Sequence, residues 1–262
     1  DSVTEREVRV RFTWDWREAK LPSTPVIGKD MFLSYYEEGA MRYCLCDGAA
    51  GPQSCVNYDA ECKYLTCALN EGTLFRIPPD MRLLLRYLPM REIMQQNGVL
   101  FLHASQIAVE GKGILFTAPS GVGKSTQAKL WKEAQNAKII CNDRTLVRKT
   151  AKGWRTYGYP FDGSEPVCSG EVHSLGAVVV LEQAQENQVF RMRATKALSR
   201  MMQQMVIDTW NAKARSKAVE LLIPLIEEVP IYLLRCTPDQ RSTECLKEQL
   251  RKDSVLNYGN NT

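Results

Sequence analysis

The residues with the clearest chemical meaning form one octapeptide, Pro119 to Thr126, with the sequence Pro-Ser-Gly-Val-Gly-Lys-Ser-Thr. An apolar run at 113–118 precedes it, and a helix-like stretch at 127–135 follows it. A strand, a glycine-rich turn ending in Gly-Lys-Ser and a helix together wrap backbone N–H groups around a phosphate. We therefore predict that this loop, a Walker A-type P-loop, binds the phosphates of a nucleotide.

The residue types of the loop suit that chemistry. Glycines allow the tight turn, Lys124 is expected to reach the β- and γ-phosphates, and the Ser125 hydroxyl is expected to ligate Mg²⁺. Ala118 stands where the strict pattern has its first glycine, and its small side chain still permits the loop. The predicted nucleotide-contacting residues are Ser120, Gly121, Val122, Gly123, Lys124, Ser125 and Thr126.

A carboxylate follows at a suitable place. The run 137–141 is typical of a short buried strand and ends at Asn142-Asp143-Arg144. Open α/β sheets place functional groups at such strand ends, so we expect Asp143 to hold a metal ion or to act as a base. It comes nineteen residues after Lys124, which is short for the second acidic motif of ordinary P-loop enzymes.

Three elements in this order resemble the core of the HPr kinases. They are Leu-His-Ala-Ser at 102–105, the loop itself, and Ile-Ile-Cys-Asn-Asp-Arg at 139–144. Kinase-like proteins of peptide-modification clusters and, more distantly, ATP-dependent phosphoenolpyruvate carboxykinases share this fold. The resemblance covers 99 to about 183 well and 184–252 loosely, and it does not extend to residues 1–98.

The resemblance implies an α/β fold, with a phosphoenolpyruvate carboxykinase/HPr kinase-type P-loop domain. It also implies ATP- and Mg²⁺-dependent transfer of a phosphoryl group to a hydroxyl of a protein, peptide or small molecule, with serine as the family's precedent. By position, Ser125 and Asp143 would hold the metal. His103 would line the phosphate site, although a structural role for it is equally compatible with the sequence.

Besides Ala118, a second position departs from the family pattern, because Asn142 occupies the place of the first of two acids. An amide cannot accept a proton from the acceptor hydroxyl. Three alternatives follow. Asp143 both binds the metal ion and acts as the base, another acid supplies the base, or the protein binds nucleotide with little turnover. Asp162 and Glu165, in the Gly/Pro-rich segment 157–165, are the candidate replacements, and the competing interpretation is a solvated surface loop.

Two other functions compete with a kinase. A non-catalytic regulatory protein that binds nucleotide would explain Asn142 as lost chemistry. A carboxykinase is disfavoured, because those enzymes are roughly twice as long and use a further basic cluster that is not found here.

The pattern along the chain predicts four parts. Residues 1–78 form a small β-rich unit, starting with a strand indicated by strict alternation over 8–16. Residues 79–98 form a connecting helix, 99–253 the kinase-like domain, and 254–262 a disordered tail. We expect the first unit to select the acceptor.

Composition narrows the class of protein. The chain has 262 residues, 44% hydrophobic and 24% charged, with a net charge of +4 and dispersed Lys and Arg, so we expect no nucleic acid partner. No apolar run approaches 18 residues, so we expect no membrane span and a cytoplasmic protein. Oligomeric state stays open, although the family often forms rings or dimers.

Five cysteines between 44 and 67 are interpreted as buried reduced thiols, with a metal cluster as the alternative.

Overall fold

The computed structural model describes residues 7–30, 32–49, 51–74, 81–160 and 167–257. The chain divides into two compact units. Unit 1 comprises 1–97 and 207–215, and unit 2 comprises 98–206 and 216–262. Residues 207–215 therefore group with the first unit, whereas the sequence analysis assigned them to the kinase-like domain. Within the described chain, every helix is too short or too polar to cross a membrane.

Unit 1 is built on one six-stranded sheet in the order β1-β6-β5-β4-β3-β2. Its strands are β1 (Arg9–Thr13), β2 (Gly28–Lys29), β3 (Leu33–Glu38), β4 (Met41–Gly48), β5 (Gly51–Asp59) and β6 (Tyr64–Leu69). Neighbouring strands are antiparallel except β1 and β6, which are parallel. Its helices are α1 (Glu71–Leu74), a 3-10 helix (Met81–Tyr87) and α2 (Met90–Gln96).

Two sequence expectations in unit 1 are corrected. The first strand stops at Thr13 rather than at 16, because Thr13 accepts a hydrogen bond from the Asp15 amide and Asp15 then caps a 3-10 turn. The helix expected over 79–98 is two pieces within the described residues, separated at Leu88-Pro89. Proline has no N–H to continue a helical hydrogen-bond ladder, so α2 starts anew after Pro89.

The five clustered cysteines lie in or beside this sheet, and all five are buried. Most belong to the hydrophobic core of unit 1, beside residues such as Leu65 and Leu69. Burial raises the pKa of Cys62 and of Cys67 to about 12. The interpretation of these residues as buried thiols is confirmed.

Unit 2 contains an eight-stranded sheet. Its strands are β7 (Val99–Val109), β8 (Lys112–Thr117), β9 (Lys138–Cys141), β10 (Arg144–Thr150), β11 (Gly153–Gly158), β12 (Val172–Gln183), β13 (Gln188–Arg191) and β14 (Ile231–Cys236). The order is β11-β10-β7-β8-β12-β14-β13, with β9 paired to β7 and a further pairing of β11 with β12. The central strands β8, β12 and β14 are parallel.

Four helices accompany this sheet: α3 (Lys124–Gln135), α4 (Ala194–Met202), α5 (Ala212–Glu228) and α6 (Gln240–Lys252). A core on one side includes Trp131 of α3 and Leu246 of α6, and a second core includes Met201 of α4 and Leu222 of α5. The mixed α/β class is thus shown. The described part of the expected disordered tail, 254–257, is instead packed, because Leu256 is buried and Asn257 donates its amide to Glu110.

Candidate functional site

The glycine-rich loop leaves the end of β8 and enters α3. Gly121 has φ +81° and Gly123 has φ +121°, which are values that side-chain-bearing residues rarely adopt. Gly123 is the N-cap of α3, and no side chain caps the helix there. The first-turn N–H groups of a helix have no intrahelical partner, so the loop offers uncapped amide donors and the positive end of a helix dipole.

Backbone carbonyls at the start of the glycine-rich loop hold the side chain of Lys124. Its Nζ donates to the carbonyl of Ala118 at 2.9 Å and to that of Pro119 at 3.3 Å. Burial lowers the pKa of Lys124, and the charge of Asp143 opposes that shift. A buried ammonium held by neutral carbonyls, with a carboxylate close by, can bind an incoming anion.

His103 and Asp143 form the second part of the site. His103 Nε2 lies 3.3 Å from Asp143 Oδ1, and Arg144 Nε lies 3.6 Å from Asp143 Oδ2. The hydrogen bond from His103 lowers the pKa of Asp143 most, with smaller contributions from Arg144 and Lys124. Asp143 is therefore ionised at neutral pH and is available as a metal ligand or a proton acceptor.

Backbone and hydroxyl hydrogen bonds fix these two side chains. Arg144 lies opposite His103 in the β7–β10 pairing, and the amide of Ala104 donates to the carbonyl of Asp143 at 3.0 Å. The Thr117 hydroxyl donates to the His103 carbonyl at 2.8 Å, which ties the end of β8 to β7. The loop and the His103–Asp143 pair are thus carried by adjacent, mutually bonded strands.

Asn142 is buried beside this pair. Its carbonyl accepts a hydrogen bond from the Ser105 hydroxyl at 2.7 Å. Its side-chain Oδ1 is buried without a hydrogen-bond partner in the described structure. An amide oxygen in that position accepts a hydrogen bond but takes up no proton.

The remaining predicted residues differ in their surroundings. Ser120, Ser125 and Thr126 are exposed at the loop and first turn of α3. Val122 packs against the core of unit 2 and accepts a bond at its carbonyl from Gln183. Asp162 and Glu165 lie outside the described residues.

A separate cavity of about 340 Å³ lies within unit 1. Aromatic and charged side chains line it, among them Tyr36, Arg42, Glu92, Trp210 and Lys213. Glu92 forms an ion pair with Arg42 and accepts a 2.9 Å hydrogen bond from the Tyr58 hydroxyl. Sequence reasoning missed these residues, because Arg42, Glu92 and Trp210 come from distant parts of the chain and share no motif.

Residues 76–250 match the protein-family model described as ScmC, SynChlorMet cassette protein ScmC. The chain belongs to this family. The matched region includes the glycine-rich loop together with His103 and Asp143, so the site of this ScmC-family chain lies inside the family's shared region.

The chain is similar to a solved structure titled "Structure of the Hpr(Ser) kinase/phosphatase from Coxiella burnetii", at 12% sequence identity and a TM-score of 0.35. The similarity covers 59% of this chain and 97% of that one. No curated protein matches.

Proposed function

We propose that this protein is an ATP- and Mg²⁺-dependent phosphotransferase of the HPr kinase-like type, acting on a hydroxyl group. One arrangement supports the proposal most: Lys124, at the N-terminus of an uncapped helix, interacts electrostatically with Asp143, whose pKa is lowered by the hydrogen bond from His103. Phosphoryl transfer depends on positioning phosphates and neutralising their charge, and this set of groups suits both tasks.

Each group has a proposed part. The loop amides and Lys124 bind the phosphates of ATP, and the exposed Ser125 hydroxyl and the Asp143 carboxylate are the oxygen donors suited to Mg²⁺. Mg²⁺ held by these two oxygen donors would supply neutralising charge for the transferring phosphoryl group. Asp143 accepts the proton of the acceptor hydroxyl, and His103 keeps this carboxylate ionised and oriented.

A test of turnover uses the whole chain with Mg-ATP and measures release of ADP. Lys124→Ala is expected to weaken ATP binding about 10- to 100-fold, because a hydrogen bond to a charged group contributes roughly 1.5–3 kcal/mol and about 1.4 kcal/mol is tenfold. Lys132→Ala, at an exposed position near the end of the same helix, is the matched control. If the wild-type chain releases no more ADP than Lys124→Ala does, the kinase proposal is contradicted.

The second candidate function is a non-catalytic nucleotide-binding regulator. Asn142 favours it, because a buried amide oxygen stands beside Asp143 where a second carboxylate would serve as the base. Tight ATP binding that Lys124→Ala weakens, with no ADP released in the presence of hydroxyl acceptors, would support this function over the first.

Acceptor selection is proposed for the cavity of unit 1. Its tyrosine and tryptophan rings offer apolar contact, and Arg42, Glu92 and Lys213 offer charges of both signs, as a peptide segment requires. Labelling of serine peptides by radiolabelled ATP, with the residues flanking the serine varied, tests whether the cavity selects the acceptor. Arg42→Ala is expected to reduce peptide labelling with ATP affinity unchanged, whereas Arg9→Ala, at an exposed position of β1, leaves both unchanged.

A further inference from the structure

Cys141 and Cys168 face each other in unit 2. An isolated antiparallel bridge pairs them, and the amide of Ser169 donates to the carbonyl of Ile140 at 2.8 Å. A hydrogen bond between the residues flanking a cross-strand pair makes that pair the non-hydrogen-bonded kind, whose Cα atoms lie about 4.5 Å apart with side chains on the same face. Disulfides span Cα separations of about 4.4–6.8 Å.

The Cys168 side chain packs closely against Gly158. Gly158 lies beneath Cys168, and a Cβ at Gly158 would lie 3.0 Å from Cys168 Sγ and 3.5 Å from the Ile140 carbonyl. A side chain at 158 would therefore require the Cys168 thiol to shift. Cys168 is exposed and Cys141 is buried, so a small-molecule oxidant reaches the pair from the Cys168 side.

We propose that Cys141 and Cys168 form a reversible intramolecular disulfide. Asp143 is the second residue after Cys141, and the closed loop contains the β10–β11 hairpin. The bond therefore fastens the segment around Cys168 to the strand end that carries Asp143. The cross-link requires only the strand pairing and is independent of nucleotide binding.

The Cys141–Cys168 bond forms by thiol–disulfide exchange with a small disulfide. The Cys168 thiolate attacks one sulfur of oxidised glutathione, and glutathione leaves as a thiolate that takes up a proton. The Cys141 thiolate then attacks the Cys168 sulfur of the mixed disulfide and releases the second glutathione thiol. Two protein thiols are oxidised, and one glutathione disulfide is reduced to two thiols.

The experiment treats the folded full chain with oxidised glutathione, blocks remaining thiols and maps the disulfides by mass spectrometry. The expected result is a peptide pair joining Cys141 to Cys168 that dithiothreitol reverses. Cys141→Ser and Cys141→Ala are expected to lose the pair and keep glutathione on Cys168. Cys245→Ser, at a partly exposed cysteine of α6, is the matched control and keeps the pair.

Three outcomes would overturn the proposal. The first is folded wild-type protein that carries glutathione on Cys168 without the cross-link. The second is a bond from Cys168 to any other cysteine. The third is the same mixture of pairings in the native chain and in urea, where the strand pairing that favours Cys141 is absent.

Discussion

His103 Nε2 lies 3.3 Å from Asp143 Oδ1 because Arg144, the neighbour of Asp143, is the register partner of His103 in the antiparallel pairing of β7 and β10. The contact is therefore set by strand register, and a slip of one residue would turn His103 to the other face of the sheet. This makes the hydrogen bond a sensitive reporter of the site's integrity.

The pH dependence of stability tests this contact. The hydrogen bond from His103 holds the pKa of Asp143 below its ordinary value of about 3.9. A lowered carboxyl pKa stabilises the folded state above the unfolded-state pKa, and that contribution is lost as pH falls through the folded-state value. The difference in free energy of unfolding between wild type and Asp143→Asn is expected to be largest above about pH 5 and to shrink below pH 4.

Urea denaturation over a pH series measures that difference. In a His103→Ala background the same comparison is expected to vary less with pH, because the donor of the hydrogen bond, which is the largest cause of the shift, is removed. A pH-independent difference in the wild-type background would contradict the assigned hydrogen bond.

Backbone conformation gives a second prediction. Gly123→Ala places a side chain at φ +121°, where a Cβ meets open space but the conformation itself is strained. The expected cost is about 1–3 kcal/mol of stability, together with loss of ATP binding measured by calorimetry. Gly39→Ala, at φ +62° in the β3–β4 turn, is the control. It is expected to lose stability and keep ATP binding, and equal loss of binding in both variants would contradict a special role for the loop.

The cavity of unit 1 gives a third prediction. A Cβ at Gly28 would lie 2.1 Å from Trp210 Cδ2, and the Trp210 ring lies 5.2 Å from that of Tyr35. Gly28→Ala is expected to displace the indole, shift its fluorescence emission and lower stability by about 1–3 kcal/mol. Gly170→Ala, whose Cβ would meet no atom within 4 Å, is expected to change neither the emission spectrum nor the stability. An unchanged emission spectrum in Gly28→Ala would contradict the packing of Trp210 on this strand.

Local signals predicted much of unit 2. The apolar run before the loop is β8, the run at 137–141 contains β9, and the valine-rich run at 175–181 lies inside β12. Hydrophobic runs bounded by glycine turns are visible without tertiary information. Residues 99–109 form one continuous strand, β7, because Ala104 and Ser105 stay in register with β8 through the pairing of Ala104 with Thr117.

Unit 1 was harder to predict for a physical reason. Strand β5 (Gly51–Asp59) begins with Gly51 and Pro52, which disfavour strand interiors. It nevertheless pairs with β4 and β6 along most of its length, because tertiary pairing outweighs local propensity. The membership of 207–215 in unit 1 depends on contacts such as the 3.3 Å ion pair between Arg91 and Asp208, which no local pattern encodes.

The strongest discriminator between a kinase and a regulator is Asn142→Asp. The substitution puts a carboxylate where the buried, unpartnered Oδ1 now lies, next to Asp143. Burial and the negative charge of the neighbouring Asp143 both raise the pKa of the new carboxyl group. A raised pKa suits a base that works near neutral pH. ADP release with an acceptor is expected to rise about 100-fold, the lower end of what a positioned base contributes, while stability falls by about 1–3 kcal/mol.

Asn142→Ala is the matched control. It removes the amide without adding a base, so ADP release is expected to stay at the wild-type level. A rise in Asn142→Asp with none in Asn142→Ala would mean that phosphoryl transfer in the wild type is slowed by the missing carboxylate alone. Equal rates in all three proteins would contradict a limiting proton transfer and leave Asp143 with His103 as the working base.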